Sequence, residues 1–281
     1  MILVTGGTGQ LGTAFRSLIP GGVFPGREAV DLSRPDTLVD AVDALDPDAI
    51  INCAAYTAVD AAEDDEETAR IVNAVAVGEL ARWAARRSIP LVTFSTDYVF
   101  DGQARRPYVE SDSTGPINAY GRSKLAGERL ALEAHPGALV VRTSWLVSAN
   151  RHNFLTTVLG LAAKGDGDIR VVDDQTGCPT LADDLARSVL QALERGVSGL
   201  LHLTNTGSAT WFGLARKALE MAGLDPERIV PITTSEYPRP ARRPAYSVLG
   251  SDRLARLGLD PLPAWEVALP AVVAGIRSGA G

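Results

Sequence analysis

The stretch Ile2-Leu3-Val4-Thr5-Gly6-Gly7-Thr8-Gly9-Gln10-Leu11-Gly12 decides how this chain is read. Strand-forming residues run directly into a glycine cluster, and a helical pattern over 10–19 follows at once. Gly6, Gly9 and Gly12 have the spacing Gly-x-x-Gly-x-x-Gly. Glycines permit a tight turn and a close backbone approach. The helix N-terminus behind them presents unpaired N–H groups and a positive dipole end, which suit a pyrophosphate. A glycine motif alone is weak, but a strand before it and a helix after it make it a dinucleotide signal. Gly6, Gly9, Gln10, Leu11 and Gly12 are therefore the first candidate cofactor contacts.

Working outward, short β-branched runs alternate with longer Ala/Leu-rich helical patterns. Strands are expected near 2–5, 49–53, 91–95 and 139–142, and helices over 10–19, 35–45, 68–87 and 119–133. This alternation predicts an α/β fold with a doubly wound parallel Rossmann sheet. Past Trp145 it weakens, with a helix near 153–163, a strand near 169–172, a helix near 181–195 and a strand near 200–203. From Ile229 the chain carries Pro231, Pro238, Pro240, Pro244, Pro261 and Pro263, which predicts a smaller loop-rich lobe closed by a helix from Ala264. The expected division is an NAD(P)-binding domain at 1–146, its sheet completed by part of 181–205, and a substrate lobe at 147–281.

Composition narrows the classes. At 281 residues, 46% hydrophobic and 22% charged, the chain can bury a substantial core, and disorder is excluded. A net charge of −7 offers no basic stripe, so no nucleic-acid partner is expected. Met1 runs straight into strand-forming residues with no basic leader. No segment approaches the roughly 18 apolar residues of a membrane span, so a soluble cytoplasmic protein without a membrane partner is expected. Cys53 and Cys178 are isolated, which fits a reducing compartment. Of 27 cationic residues only Lys124, Lys164 and Lys217 are lysines, the rest arginine, a bias that codon usage in a GC-rich genome explains.

The three-residue spacing of the first two glycines resembles the short-chain dehydrogenase/reductase superfamily. About 20 residues past the last glycine such folds place a ribose-reading carboxylate, and Asp31 lies there. A second strand is expected to end near Phe24, before Arg27, so Asp31 and Leu32 look like the loop that reads the adenine edge. Arg27 is then left for a 2′-phosphate, which a guanidinium suits. That favours NADPH, with NADH possible.

Tyr120 and Lys124 form Tyr-x-x-x-Lys on one face of an expected helix. Chance alone gives roughly 0.06 such pairs in this composition, so the pair gains its meaning from context. It follows a strand ending in Ser95-Thr96-Asp97, whose hydroxyls would reach the crevice at the carboxyl edge of the sheet. Ketone reduction needs an acid for the developing alkoxide. A phenol near pKa 10 is a poor one unless a nearby ammonium lowers it, typically by about 1–3 units. Tyr120 is the expected proton donor, Lys124 its electrostatic partner and a ligand for the nicotinamide ribose, and Thr96 a hydrogen-bond partner of the substrate oxygen.

Asn52-Cys53-Ala54-Ala55-Tyr56-Thr57-Ala58-Val59-Asp60, Ser95 to Gly102, Pro116 to Lys124, Arg142-Thr143-Ser144-Trp145, Asp174 to Thr180 and Pro240-Ala241-Arg242-Arg243-Pro244 together resemble the dTDP-4-dehydrorhamnose reductase family over nearly the whole length. The resemblance implies NAD(P)H-dependent reduction of the C4 ketone of dTDP-4-dehydro-L-rhamnose (dTDP-6-deoxy-L-lyxo-4-hexulose), giving dTDP-L-rhamnose. It implies that Gly9, Gln10 and Leu11 contact the cofactor, Asp31 and Leu32 its adenosine, and Ala55, Tyr56 and Thr57 the strand edge beside it. Thr96 and Asp97 would meet the hexulose and Trp145 would pack on it. Arg242 and Arg243 are candidate diphosphate clamps.

The family members that dimerise through Mg²⁺ carry a Glu where this chain has Ala14. With His135, His152 and His202 isolated in sequence, no metal is expected, and the chain is expected to be a monomer or weak homodimer. Cys178 stands where relatives often have Ala. The acidic run from Asp60 to Glu67 reads as solvated, dipole-compensating charge. Three rivals remain at this stage: a 4-ketoreductase acting on another dTDP-deoxysugar, a nucleotide-sugar dehydratase or epimerase, and a non-catalytic partner resembling the regulatory subunit of methionine adenosyltransferase. The dehydratases place a Glu directly after Thr-Asp, where this chain has Tyr98.

Overall fold

Ile2–Thr5 forms β1, and the glycine turn leads into α1 (Gln10–Leu18). α2 (Pro35–Leu45) begins with Pro at its first position, where the missing N–H costs nothing, and β2 (Ala49–Asn52) follows, buried throughout. After α3 (Ala61–Asp64) and α4 (Glu66–Arg70), a π-helical turn at Ile71–Val75 leads into α5 (Ala76–Arg87). The single helix expected over 68–87 is thus interrupted. β3 (Leu91–Thr96), α6 (Ala119–Ala134) and β4 (Leu139–Thr143) complete the first half. The computed structural model describes residues 1–279.

The central sheet has the order β1-β2-β3-β4-β9, all parallel, with β9 at Gly199–His202 supplied from late in the chain. The strand expected to end near Phe24 is a single bridge, Val23 against Leu3, closed by Val4 N–H to Val23 O at 2.8 Å and Val23 N–H to Ile2 O at 2.9 Å. Gly21 and Gly22 precede it and Pro25, without an N–H, follows, so the ladder cannot extend. One face of the sheet is covered by α1 and α8 (Ala182–Glu194), through Leu11, Phe15, Leu185 and Val189. The other face is covered by α2, α5 and α6, through Leu38, Val42, Leu80 and Ala131. Helices on both faces and crossovers between parallel strands make this the doubly wound fold.

Beyond β4 the chain forms β5 (Leu146–Val147), α7 (Phe154–Lys164), β6 (Ile169–Val172), β7 (Thr176–Gly177) and β8 (Thr180–Leu181) before α8. β10 (Asn205–Thr206) and β11 (Ala209–Thr210) lead to α9 (Trp211–Met221), a helix the sequence reading missed. β12 (Ile229–Ile232) pairs with β6, β13 (Leu262–Ala264) with β10, and α10 (Trp265–Ser278) closes the lobe. This lobe has its own core, built on Leu155, Leu159, Leu214, Leu219, Trp265 and Leu269.

Candidate active site

A cleft of about 910 Å³ runs across the carboxyl ends of β1, β2, β3 and β4 to the lobe. Strand C-termini on either side of the order reversal at β1 are where such sheets bind nucleotides. The glycine turn forms one end. Gly6 has φ +65°, and a Cβ there would lie 2.6 Å from Ala54 N, while a Cβ on Gly12 would lie 2.2 Å from Gly6 O. Both glycines are therefore required by backbone packing. Gly9 caps α1 with no side chain over the helix end, so the first-turn N–H groups stay open toward the cleft. That is the donor set a pyrophosphate needs, and the cradle fits a dinucleotide.

Gln10 lines the cleft, yet its side chain is spent on the lobe. Its Nε2–H donates to Leu146 O at 3.1 Å, and its Oε1 accepts from Ser148 Oγ at 3.0 Å and Asn153 Nδ2 at 3.1 Å. The cradle is thereby tied to the N-terminus of α7, where Asn153 is the cap. At the adenosine end lie Arg27, Asp31 and Leu32. Arg27 is not free as expected: its Nε–H donates to Asp31 Oδ1 at 3.2 Å and it also reaches Ser33. The pair is solvent-exposed on the Arg27 side, so it is weak and can exchange for a phosphate. Ala55, Tyr56 and Thr57 line the cleft beside β2. Their loop is held by Asn73, in the π-helical turn, which accepts from Tyr56 N–H at 2.9 Å and donates to Tyr56 O and Ser123 Oγ, both at 3.0 Å. π-turns recur at such functional places, and Asn73 escaped the sequence reading.

Tyr120, Lys124, Thr96 and Asp97 face the same cleft. Asn118 caps α6 by accepting from Gly121 N–H at 2.7 Å, which starts the helix one residue before Tyr120. The Thr96 hydroxyl donates to Asp97 Oδ1 at 3.0 Å and accepts from Tyr98 N–H at 3.2 Å. Asp97 is buried, its other oxygen has no partner among the described residues, and burial pushes its carboxyl up to about 7 against hydrogen bonds from Ser247 and Thr96.

The Tyr120 phenol lies above its ordinary value, not below it as expected. Burial first, then the Asp97 charge, push the Tyr120 phenol well above its ordinary value, and Thr96 beside it works the other way. Lys124 is itself desolvated, which brings its ammonium down to about 8 against the favourable charge of Glu128. The phenol is therefore neutral at physiological pH and a weaker acid than a free one.

Trp145 sits at the lobe end of the cleft in a left-handed conformation, φ +44°, which a bulky residue adopts only when its surroundings impose it. Its ring stacks on Trp211 at 3.6 Å between centroids and 6° between planes, and Gly177 packs against its Cε2 and Nε1 atoms. Trp145 is thus at the site and also on the lobe core. Arg242 and Arg243 do not line the cleft. Arg242 is exposed, and Arg243 pairs with Asp60, which Arg239 also binds. Burial would raise the Asp60 carboxyl, but hydrogen bonds from Arg243, Arg239 and the Ala241 N–H bring it down to about 2. The acidic run is accordingly not simply solvated: Glu63 accepts from Ala119 N–H at 2.8 Å and Glu66 pairs with Arg122 at 2.8 Å, docking α6. Arg151 and His152 line the cleft without having been singled out. They lie in a loop with no motif, so only folding reveals them. No group of metal-ligating side chains occurs among the described residues.

The family described as the RmlD substrate binding domain matches residues 1–278. The chain belongs to this family. A dTDP-4-dehydrorhamnose reductase from Mycolicibacterium smegmatis is 44% identical over 98% of this chain and 85% of its own length. Another from Burkholderia thailandensis is 45% identical over 95% of this chain and 96% of its own. The crystal structure of dTDP-4-dehydrorhamnose reductase from Bacillus anthracis in complex with NADP superposes with a TM-score of 0.93 at 34% identity, covering 97% of this chain and 98% of that one. As a member of the RmlD family the chain keeps the glycine cradle, the Tyr120–Lys124 pair and Thr96 on a single cleft.

Proposed function

We propose that the chain is an NAD(P)H-dependent oxidoreductase that reduces the C4 ketone of dTDP-4-dehydro-L-rhamnose to dTDP-L-rhamnose, with NADPH as the cofactor. One observation carries this reading: the dinucleotide cradle and the Thr96, Tyr120 and Lys124 side chains line one continuous cleft. The 41–45% identical reductases, spanning nearly all of this chain, and the NADP complex of the Bacillus anthracis enzyme support it.

When bound, a reduced nicotinamide supplies the hydride to C4. Tyr120 donates its phenolic proton to the C4 oxygen, which becomes the hydroxyl. A phenol held neutral by burial and by Asp97 carries that proton at physiological pH. Lys124, buried one helical turn away, stabilises the phenolate left behind and is placed to bond the nicotinamide ribose. Thr96 directs a hydroxyl toward the carbonyl oxygen, and Trp145 offers an apolar ring to the sugar face. The open N–H groups at Gln10 and Leu11, with Gly9 beside them, hold the cofactor pyrophosphate, and Gly6 and Gly12 allow the approach. Arg27, Asp31 and Leu32 hold the adenosine and its 2′-phosphate, and Ala55, Tyr56 and Thr57 the strand edge. Asp97 orients the hexulose.

Arg242 and Arg243 remain proposed diphosphate contacts only if Arg243 exchanges Asp60 for the ligand. We assign residues 1–146 with part of 181–205 to cofactor binding and the rest of 147–281 to the sugar nucleotide. No helix among the described residues is long and apolar enough to cross a membrane, and we place the protein in the cytoplasm as a monomer or weak homodimer.

The deciding experiment supplies dTDP-4-dehydro-L-rhamnose with NADPH or NADH and determines the product's C4 configuration. One NADPH consumed per dTDP-L-rhamnose supports the assignment. Turnover only with a different dTDP-4-keto sugar transfers it to that substrate, and no NADPH loss with any of them ends the enzyme reading.

A further inference from the structure

Four residues beyond Lys124 on α6, Glu128 is buried to 5% exposure, a costly place for a carboxylate. Its oxygens accept from Arg142 Nε at 2.8 Å and Nη2 at 2.7 Å, and Ser95 Oγ donates to the same carboxylate. Arg142 comes from β4, three residues before Trp145, and Ser95 from β3, beside Thr96. One carboxylate therefore fastens the helix bearing Tyr120 and Lys124 to the two strands bearing Thr96 and leading to Trp145. A buried ion pair contributes little net stability compared with an apolar pair of the same shape. The neighbouring lysine gives the position a further role.

We propose that Glu128 is a positioning residue for the reduction, supplying the counter-charge that keeps buried Lys124 an ammonium while fixing α6 against β3 and β4. The inference rests on the reductase reading for its catalytic meaning. Around this pair lie the Cys53 thiol beyond β2, Arg142 on β4 and, 3.4 Å from the Arg142 guanidinium, the His202 ring on β9. Glu128 favours the protonated lysine against burial, which brings it down to about 8, while the Cys53 thiol, pushed up by its own burial, stays neutral. Asp97 acts on Tyr120 instead. Arg142, bonded to the same carboxylate, offsets part of its charge as felt at Lys124, so both charges are removed together in the test below.

The chain's three lysines make a direct test feasible. Protein labelled with ¹³Cε-lysine, without cofactor or sugar, is titrated by NMR, and the Lys124 signal is assigned by its loss in Lys124→Met. Glu128→Gln alone would strand a buried guanidinium, so the informative variant is Glu128→Gln with Arg142→Met, which removes both charges and leaves an amide oxygen for Ser95. The Lys124 midpoint is expected to fall by about one unit in it. The alkaline limb of kcat/KM should move with it, a loss of roughly fivefold at pH 8 relative to wild type. Glu128→Asp, which keeps the charge, should retain the wild-type midpoint and serves if the double variant does not fold. An unchanged midpoint in the neutral pair, or a fall in Glu128→Asp as large as in the neutral pair, overturns the proposal. Since the titration involves no substrate, failure of the reductase reading shows separately, as wild-type protein that consumes no NADPH.

Discussion

Replacing Gly177 by Ala tests how the lobe sets the substrate end of the cleft. Gly177 lies in β7, bonded to β11, and a Cβ built there would meet Trp145 Cε2 at 2.5 Å and Nε1 at 2.6 Å. Ordinary contact begins at 3.4 Å, so the ring or the strand must retreat by about 1 Å. The ring is not free to move alone: Trp211 is stacked on it at 3.6 Å, and Phe154 packs against Trp211 at 4.6 Å. Overpacking of this kind costs about 1–3 kcal/mol. The melting temperature should fall by roughly 2–6 °C in a chain of this size. A reacting group displaced by about 1 Å costs up to roughly a hundredfold in rate. We expect kcat/KM for the dTDP-4-keto sugar to fall about 10–100-fold, mostly through KM, with NADPH affinity by fluorescence titration unchanged. The assay is NADPH oxidation at varied sugar concentration beside thermal unfolding. Wild-type melting temperature and wild-type KM together would refute the claim that Trp145 is held in place by Trp211 and Gly177.

Tyr120→Phe should abolish turnover while NADPH binding persists; near-normal turnover would show that the proton comes from another group. Lys124→Arg keeps the charge but forces a planar fork into a buried site next to Cys53 and Glu128, and should lose most activity in the same assay. Asp97 gives a pH test of stability. Its folded value, about 7, lies above its unfolded value near 3.8, so its contribution is fully present below about pH 4 and is lost as pH rises through 7. That loss approaches roughly 4 kcal/mol. Asp97→Asn should therefore flatten the decline in denaturant-derived stability between pH 4 and 8, and an unchanged slope would mean that Asp97 ionises normally.

The cradle and the catalytic pair were legible because each is local. Gly6 to Gly12 act through a turn and the helix end that follows, and Tyr120 and Lys124 share a face through helical periodicity. The parallel strands were legible as apolar runs buried on both faces. The expectations that failed depended on partners distant in sequence. Whether Val23 extends into a strand is decided by Pro25 and by what β1 can accept. Asp60 finds Arg239 and Arg243, and the Tyr120 phenol is raised by burial and by Asp97; the Arg27–Asp31 pair, only four residues apart, was by contrast open to a local reading. α9 was missed although Thr210 caps it, because its apolar face is recognised only against the rest of the lobe.

By itself the sequence determined that this chain is a doubly wound α/β protein with a dinucleotide cradle and a tyrosine–lysine pair, since backbone conformation and helical spacing are short-range properties. Its scarcity of lysine, whatever the genomic cause, leaves one ammonium at the position where this chemistry needs a compact charge. The tertiary structure alone decided the electrostatic state of that ammonium, the clamp on Trp145 and the tie from Gln10 to the lobe. Desolvation, buried charge and close packing depend on which distant residues fill the space, and no local pattern specifies that.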